Sequence, residues 1–212
     1  MKNRFLAVLA AVVLTAACVP SARRGLSSDS GQVPLREPAR SPVSAGQGGS
    51  DDIARKLAVL DEILQSRNDN DPRLDTGFNE MSSDLRAALR LKYRQLPLEQ
   101  RNERGTIVYL LGRNAGPADW RFFREVVSER PCLSLADCSV PQAYDDEHRA
   151  QGLAVTLEYP AMVALKQAEN ALSAGRDESG ARAVVLAAKT SGAAVVAERA
   201  AALEQKFPAK DP

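Results

Sequence analysis

The sequence predicts an all-α fold built from antiparallel helix pairs. Three observations predict it. Apolar residues recur at helical spacing with charges between them, as in Ile53, Leu57, Leu60 and Leu64. Alanine, the best helix former, is plentiful. The periodic segments are also punctuated where helices stop and restart, at Gly112–Pro117, at Tyr159–Pro160 and at Thr190-Ser191-Gly192. Hydrophobic content of 44% supports a core, while aromatic content is only 5%, so the core must be mostly aliphatic.

Residues 1–18 read as an export signal. Lys2 and Arg4 give a positive start, and Phe5 to Leu14 give an apolar run too short to span a membrane. Thr15, Ala16 and Ala17 are small, and Cys18 follows. This pattern resembles the bacterial lipoprotein signal, whose cysteine is lipidated and becomes the new N-terminus. Thr15 stands where that signal usually has leucine, with Leu14 one place earlier. Ordinary cleavage and release of a soluble periplasmic chain is the alternative. Val19 and Pro20 lack the aspartate that resembles an inner-membrane retention signal. The resemblance therefore implies an outer-membrane lipoprotein facing the periplasm, held to the membrane by a lipid on Cys18.

Residues 19–50 carry Pro20, Pro34, Pro38 and Pro42 among many Ser and Gly, with no hydrophobic period. They are expected to form a disordered tether. A flexible chain of that length spans about 30 Å root-mean-square.

The expected folded domain is 51–208. Its first helix covers 51–66, capped by Ser50, with Asp51 and Asp52 at the positive helix end. Residues 67–82 are expected to be a solvated connection with Leu74, Phe78 and Met81 pinned to the core. Asp69, Asp71 and Glu80 fall at positions one, three and twelve of an EF-hand-like loop. Arg73 and Leu74, however, occupy positions that need an oxygen ligand and a glycine, so no metal site is assigned. A second helix over 84–96 begins at Ser82 or Ser83 and turns Leu85, Ala88, Leu89 and Tyr93 inward. Arg86, Arg90 and Arg94 lie four apart on another face, and Arg101 and Arg104 extend that basic stripe. The stripe is either a solvated face or a docking surface for carboxylates, which the planar guanidinium fork suits.

Residues 101–127 are expected to be two helices packed back to back. Gly105, Val108 and Leu111 mark the first stripe, and Gly112 stands where a left-handed cap is wanted. Pro117 suits the first position of the next helix and Asp119 its first turn, with Trp120, Phe123, Val126 and Val127 facing inward. The run LLGRNAGPADWRFF resembles the centre of a HEAT-like repeat, in which one helix ends in Leu-Gly and the next opens after a short turn with Pro or Asp. The resemblance implies a short HEAT-like solenoid of stacked helix pairs with an extended groove.

Cys132 and Cys138 lie in a loop bounded by Pro131 and Pro141. In an exported chain this pair is expected to be a disulfide. A four-ligand zinc site is disfavoured because His148 is the sole histidine. Residues 147–174 and 177–207 are expected to repeat the hairpin theme, the first broken at Tyr159–Pro160.

The function classes narrow accordingly. Residues 51–212 carry 22 basic and 25 acidic groups, which disfavours nucleic-acid binding. No Gly-rich phosphate loop, nucleophile elbow or His-Glu metal motif occurs, so neither catalytic residues nor a cofactor are assigned. The expectation is a non-catalytic scaffold or adaptor with a protein partner in the envelope. The alternatives are a pilotin-like factor, resembling the small helical lipoproteins that escort secretins, and a peptidoglycan-binding or peptidoglycan-cleaving protein.

Overall fold

A computed structural model describes residues 47–141 and 147–208. The described residues hold nine helices and no strand. They are α1 (Gln47–Ser66), α2 (Pro72–Thr76), α3 (Ser83–Gln95), α4 (Arg101–Gly112), α5 (Pro117–Val127), α6 (Glu147–Leu157), α7 (Tyr159–Ser173), α8 (Glu178–Ala188) and α9 (Ala194–Lys206). The export signal, Cys18 and most of the expected tether lie outside the described residues. So do Asp145–Asp146 and the last four residues.

Two boundaries differ from the sequence reading. Helix α1 starts at Gln47, so Ser50 lies inside it and caps nothing. Asp52 instead pairs along the helix with Arg55 and Lys56. The connection at 67–82 contains α2, which the short Pro-Arg-Leu run did not announce. Its N-cap is Asp71, whose carboxylate accepts the Arg73 backbone N–H and is also gripped by the Arg73 guanidinium. Leu74 and Phe78 are buried as expected, and Met81 packs half-buried against the core.

The hairpin expectation also needs correcting. The most extensive helix pairings are α4 with α7, α7 with α8 and α5 with α8; α4 and α5 meet far less. Glycines explain the choice. A Cβ on Gly105 would fall 2.3 Å from the Tyr159 ring, and one on Gly112 would fall 2.1 Å from Gln167 Cγ. The two glycines are seven residues apart, two turns on one face of α4, and α7 lies against that face. Likewise a Cβ on Gly180 of α8 would fall 2.4 Å from the Trp120 indole of α5. Gly112 is thus not a left-handed cap. That role belongs to Gly175 after α7, with φ 61°. The Gly175 N–H reaches Leu172 O and the Arg176 N–H reaches Ala171 O, the paired bonds of a Schellman motif.

The core is aliphatic with one aromatic knot. Tyr93, Trp120, Phe122 and Phe123 meet edge to face or tilted, with ring centroids 4.9–5.9 Å apart. The alanines and valines of α8 and α9 are buried together, as the sequence anticipates. Helix α6 is the exception: Leu153 and Leu157 are half-buried and Val155 is exposed.

Helix α9 is tied to α7 by one carboxylate. Glu169 is buried and accepts from Lys166 at 3.0 Å, Arg199 at 2.8 Å and Lys206 at 2.9 Å. The Lys206 bond leads in holding its carboxyl down, at about 2 against an ordinary 4.5. Below the ordinary value an unfolded chain takes up the proton while the folded one does not. Stability should therefore fall as pH drops from 4.5 toward about 2. Acid titration of Glu169→Gln, followed by circular dichroism, should show a shallower loss across that window. An unchanged acid limb would refute the assignment.

Candidate docking site

The five arginines of the expected stripe all find acceptors within the chain. Leu85, Leu89 and Tyr93 bury one face of α3, which brings Arg86 and Arg90 to the start of α5. There Asp119 sits at the third helical position, 1% exposed. Its carboxylate accepts the Gly116 backbone N–H at 3.0 Å, Arg86 Nη1 at 2.6 Å and Arg90 Nη1 at 2.5 Å. Arg86 also donates to Leu111 O and Asn114 O, satisfying carbonyls at the end of α4 and in the turn beyond it. Arg94 reaches Glu125 at 2.7 Å, with both side chains more than half exposed.

Arg104 is buried under the other end of α3. Its guanidinium lies 4.1 Å from the centre of the Tyr93 ring. Its Nη2 donates to both oxygens of Glu129, at 2.8 and 2.9 Å, and the Tyr93 hydroxyl donates to Glu129 at 3.2 Å. Burial holds the Glu129 carboxyl above its usual range, with the Arg104 charge pulling the other way. Burial, helped by the Glu129 charge, pushes the Tyr93 phenol well up. Arg104 Nε has no hydrogen-bond partner among the described residues.

Arg101 leads to the loop after α5. Cys132 and Cys138 are joined as a disulfide, as expected. Arg101 Nη2 donates to Leu135 O at 3.0 Å, and its Nη1 lies 3.5 Å from the Cys132 sulfur. Two carboxylates from elsewhere hold the ends of the ring. Glu158 accepts the Cys132 N–H at 2.9 Å, and Glu99 accepts the Cys138 N–H at 3.0 Å. Inside the ring, the Ser134 hydroxyl donates to Asp137 O and accepts the Asp137 N–H. Ser134 is turned inward, while Leu133, Leu135 and Val140 are turned outward, 42%, 46% and 53% exposed, beside the exposed Asp137 and Ser139.

The site offers little for acid–base chemistry. Burial raises the carboxyls of both Glu129 and Glu158, and both line a cavity beside Arg104. That cavity has a volume of about 20 Å³, room for roughly one water and far too little for a sugar ring. Among the described residues no group of three or more His, Cys, Asp or Glu side chains is placed to hold a metal ion. Sequence reasoning did not find Glu99, Glu129 or Glu158 because their partners lie 25 to 39 residues away. No local spacing signals such pairs.

The described residues thus define an all-helical domain in which arginine–carboxylate clamps fix a disulfide-closed loop bearing exposed aliphatic side chains. No protein-family model, curated protein or solved structure matches the chain.

Proposed function

We propose that the chain is an envelope lipoprotein, anchored through Cys18, whose helical domain is a non-catalytic protein-binding scaffold carried on a tether. The observation behind this reading is the stapled loop. A disulfide, a guanidinium and two carboxylates hold a short segment rigid while its aliphatic side chains face water. Rigid apolar anchors of this kind lose little entropy on docking and suit the centre of a protein interface. The partner's matching surface is apolar, and the exposed Arg94 is the member of the stripe best placed for an acidic rim. The outer-membrane, periplasm-facing address rests on the signal resemblance alone. HEAT-like stacking is supported by the pairing of α4 with α7 and α5 with α8, which lays two consecutive helices against two others.

The test uses the full chain, tagged and purified from detergent-solubilised envelopes after crosslinking. One dominant partner should be recovered. Leu133→Asp/Leu135→Asp should reduce its recovery about tenfold, the scale of losing one buried anchor. Cys132→Ser/Cys138→Ser should lower stability by about 2–2.5 kcal/mol on the chain-entropy model and weaken capture too. A partner recovered equally by all variants would remove the loop from the contact. Muropeptide release by the purified chain would replace the scaffold reading with a catalytic one.

A further inference from the structure

A second site lies away from the loop, between the end of α4, the start of α5 and the turn after α7. It is a cleft of about 590 Å³, within the usual size of small-ligand sites. We propose that this cleft binds the carboxylate-bearing end of a peptide chain.

Three observations carry the proposal. The first is Gln167. It is 7% exposed, lines the cleft, and its carboxamide hydrogen-bonds to no described residue. Its amide atoms reach the solvent of the cleft, so a ligand's peptide group can take the place of water there. Gly112 makes room for Gln167, since any larger residue there would collide with its stem. The second is the company it keeps. The side chains of Asn114 and Asn170 line the same cleft and also lack described partners. Carboxamides present a donor and an acceptor side by side, the complement of a peptide group. The third is Arg176 at the rim, exposed and paired with no described residue. The Schellman motif fixes its backbone. Asp177 beyond it is held left-handed, with φ 49°, while accepting the Trp120 Nε1–H at 2.8 Å. The guanidinium is therefore carried on a constrained turn.

The charge balance selects the ligand. The other arginine in the cleft, Arg113, is already occupied by Leu74 O at 2.9 Å, by Asn79 and by Asp75. With one guanidinium unpaired among the described residues and the Asp177 carboxylate in the same cleft, a multiply charged phosphate is disfavoured, while a single carboxylate can pair with Arg176. The amides and the Arg176 guanidinium together match a peptide terminus.

The probe is fluorescein-labelled Ala-Ala-Ala with a free carboxylate, against the same peptide ending in an amide. Binding to the full chain in detergent micelles is read by polarisation. The acid should bind at least about tenfold tighter than the amide, the scale of one charge-assisted pair. Arg176→Ala should abolish that preference. Gln167→Leu, with circular dichroism unchanged, should weaken acid and amide alike. A probe ending in D-alanine separates two sources. Preference for the all-L peptide assigns the ligand to a protein C-terminus, and preference for the D form assigns it to a cell-wall stem peptide. Equal binding of acid and amide, an unchanged preference in Arg176→Ala, or no binding of any peptide at millimolar concentration would each overturn the proposal. Leu133→Asp/Leu135→Asp should leave probe binding intact, so this site and the docking loop can fail independently.

Discussion

Asp119→Ala is expected to destabilise the chain by about 3–5 kcal/mol, the cost of breaking a buried ion pair by removing one partner. Asp119 is 1% exposed and joins α3 to the start of α5. It closes the first turn of α5 through the Gly116 N–H, and it holds Arg86 and Arg90 of α3. Those two guanidiniums have side-chain exposures of only 13% and 17%. Without Asp119 they face each other across a site with little water to screen them. Asp119→Asn keeps the shape and the acceptor but loses the charge, so its loss should be smaller. The triple variant Arg86→Met/Arg90→Met/Asp119→Leu should recover most of the stability, because packed apolar side chains often replace a buried charge cluster at little cost. Denaturant unfolding followed by far-ultraviolet circular dichroism reads all three. A loss below about 1 kcal/mol for Asp119→Ala would mean that water reaches the cluster and the clamp is dispensable.

The same cluster shows how far the sequence could be read. The spacing of Arg86, Arg90 and Arg94 places a basic stripe on α3, and the guanidinium fork predicts carboxylate partners. The expected carboxylates were those of an outside partner, whereas the ones met in the structure belong to this chain. The sequence does not say that the carboxylates are Asp119 and Glu125 of the same chain, because periodicity describes one helix at a time. Asp119 was legible as a first-turn acid and its long-range role was not. Helix existence followed well from spacing and from Pro117, Pro160 and Gly192. Helix pairing did not. It turns on Gly105, Gly112 and Gly180, whose meaning lies in the Tyr159, Gln167 and Trp120 side chains set against them. In a sequence Gly112 reads as a stop signal, and its contact with Gln167 is invisible there. The cleft was missed for the same reason: its amides come from residues 114, 167 and 170, brought together only by the packing of α4 on α7.

The disulfide was the most legible feature of the loop, since two nearby cysteines in a chain whose first residues read as an export signal need no tertiary information to suggest it. Its clamps were not legible. Glu99 reaches it from just before α4, Arg101 from the start of α4 and Glu158 from the α6–α7 junction, and each is an ordinary charged residue in its own segment.

Trp120→Ala should cost a comparable 3–5 kcal/mol, the range for deleting a large buried ring. Trp120 joins α5 to α8 in two ways. Its ring fills the space that Gly180 leaves, and its Nε1–H is bound by Asp177; within α5 it also meets Phe123 edge to face at 5.5 Å. Trp120→Phe separates packing from hydrogen bonding. Phenylalanine keeps an aromatic ring against Gly180 but leaves Asp177 without its donor, so a loss of about 1–2 kcal/mol is expected. Since Trp120 is the sole tryptophan, unfolding must be followed by circular dichroism in every variant. The two substitutions should also differ at the cleft. Trp120→Phe frees the Asp177 carboxylate, which then competes for Arg176, so carboxylate-ended peptides should bind more weakly although the fold persists. If Trp120→Phe unfolds as readily as Trp120→Ala, the Asp177 bond rather than the packed ring holds α5 to α8. The turn that carries Arg176 would then be a structural strut before it is a binding element.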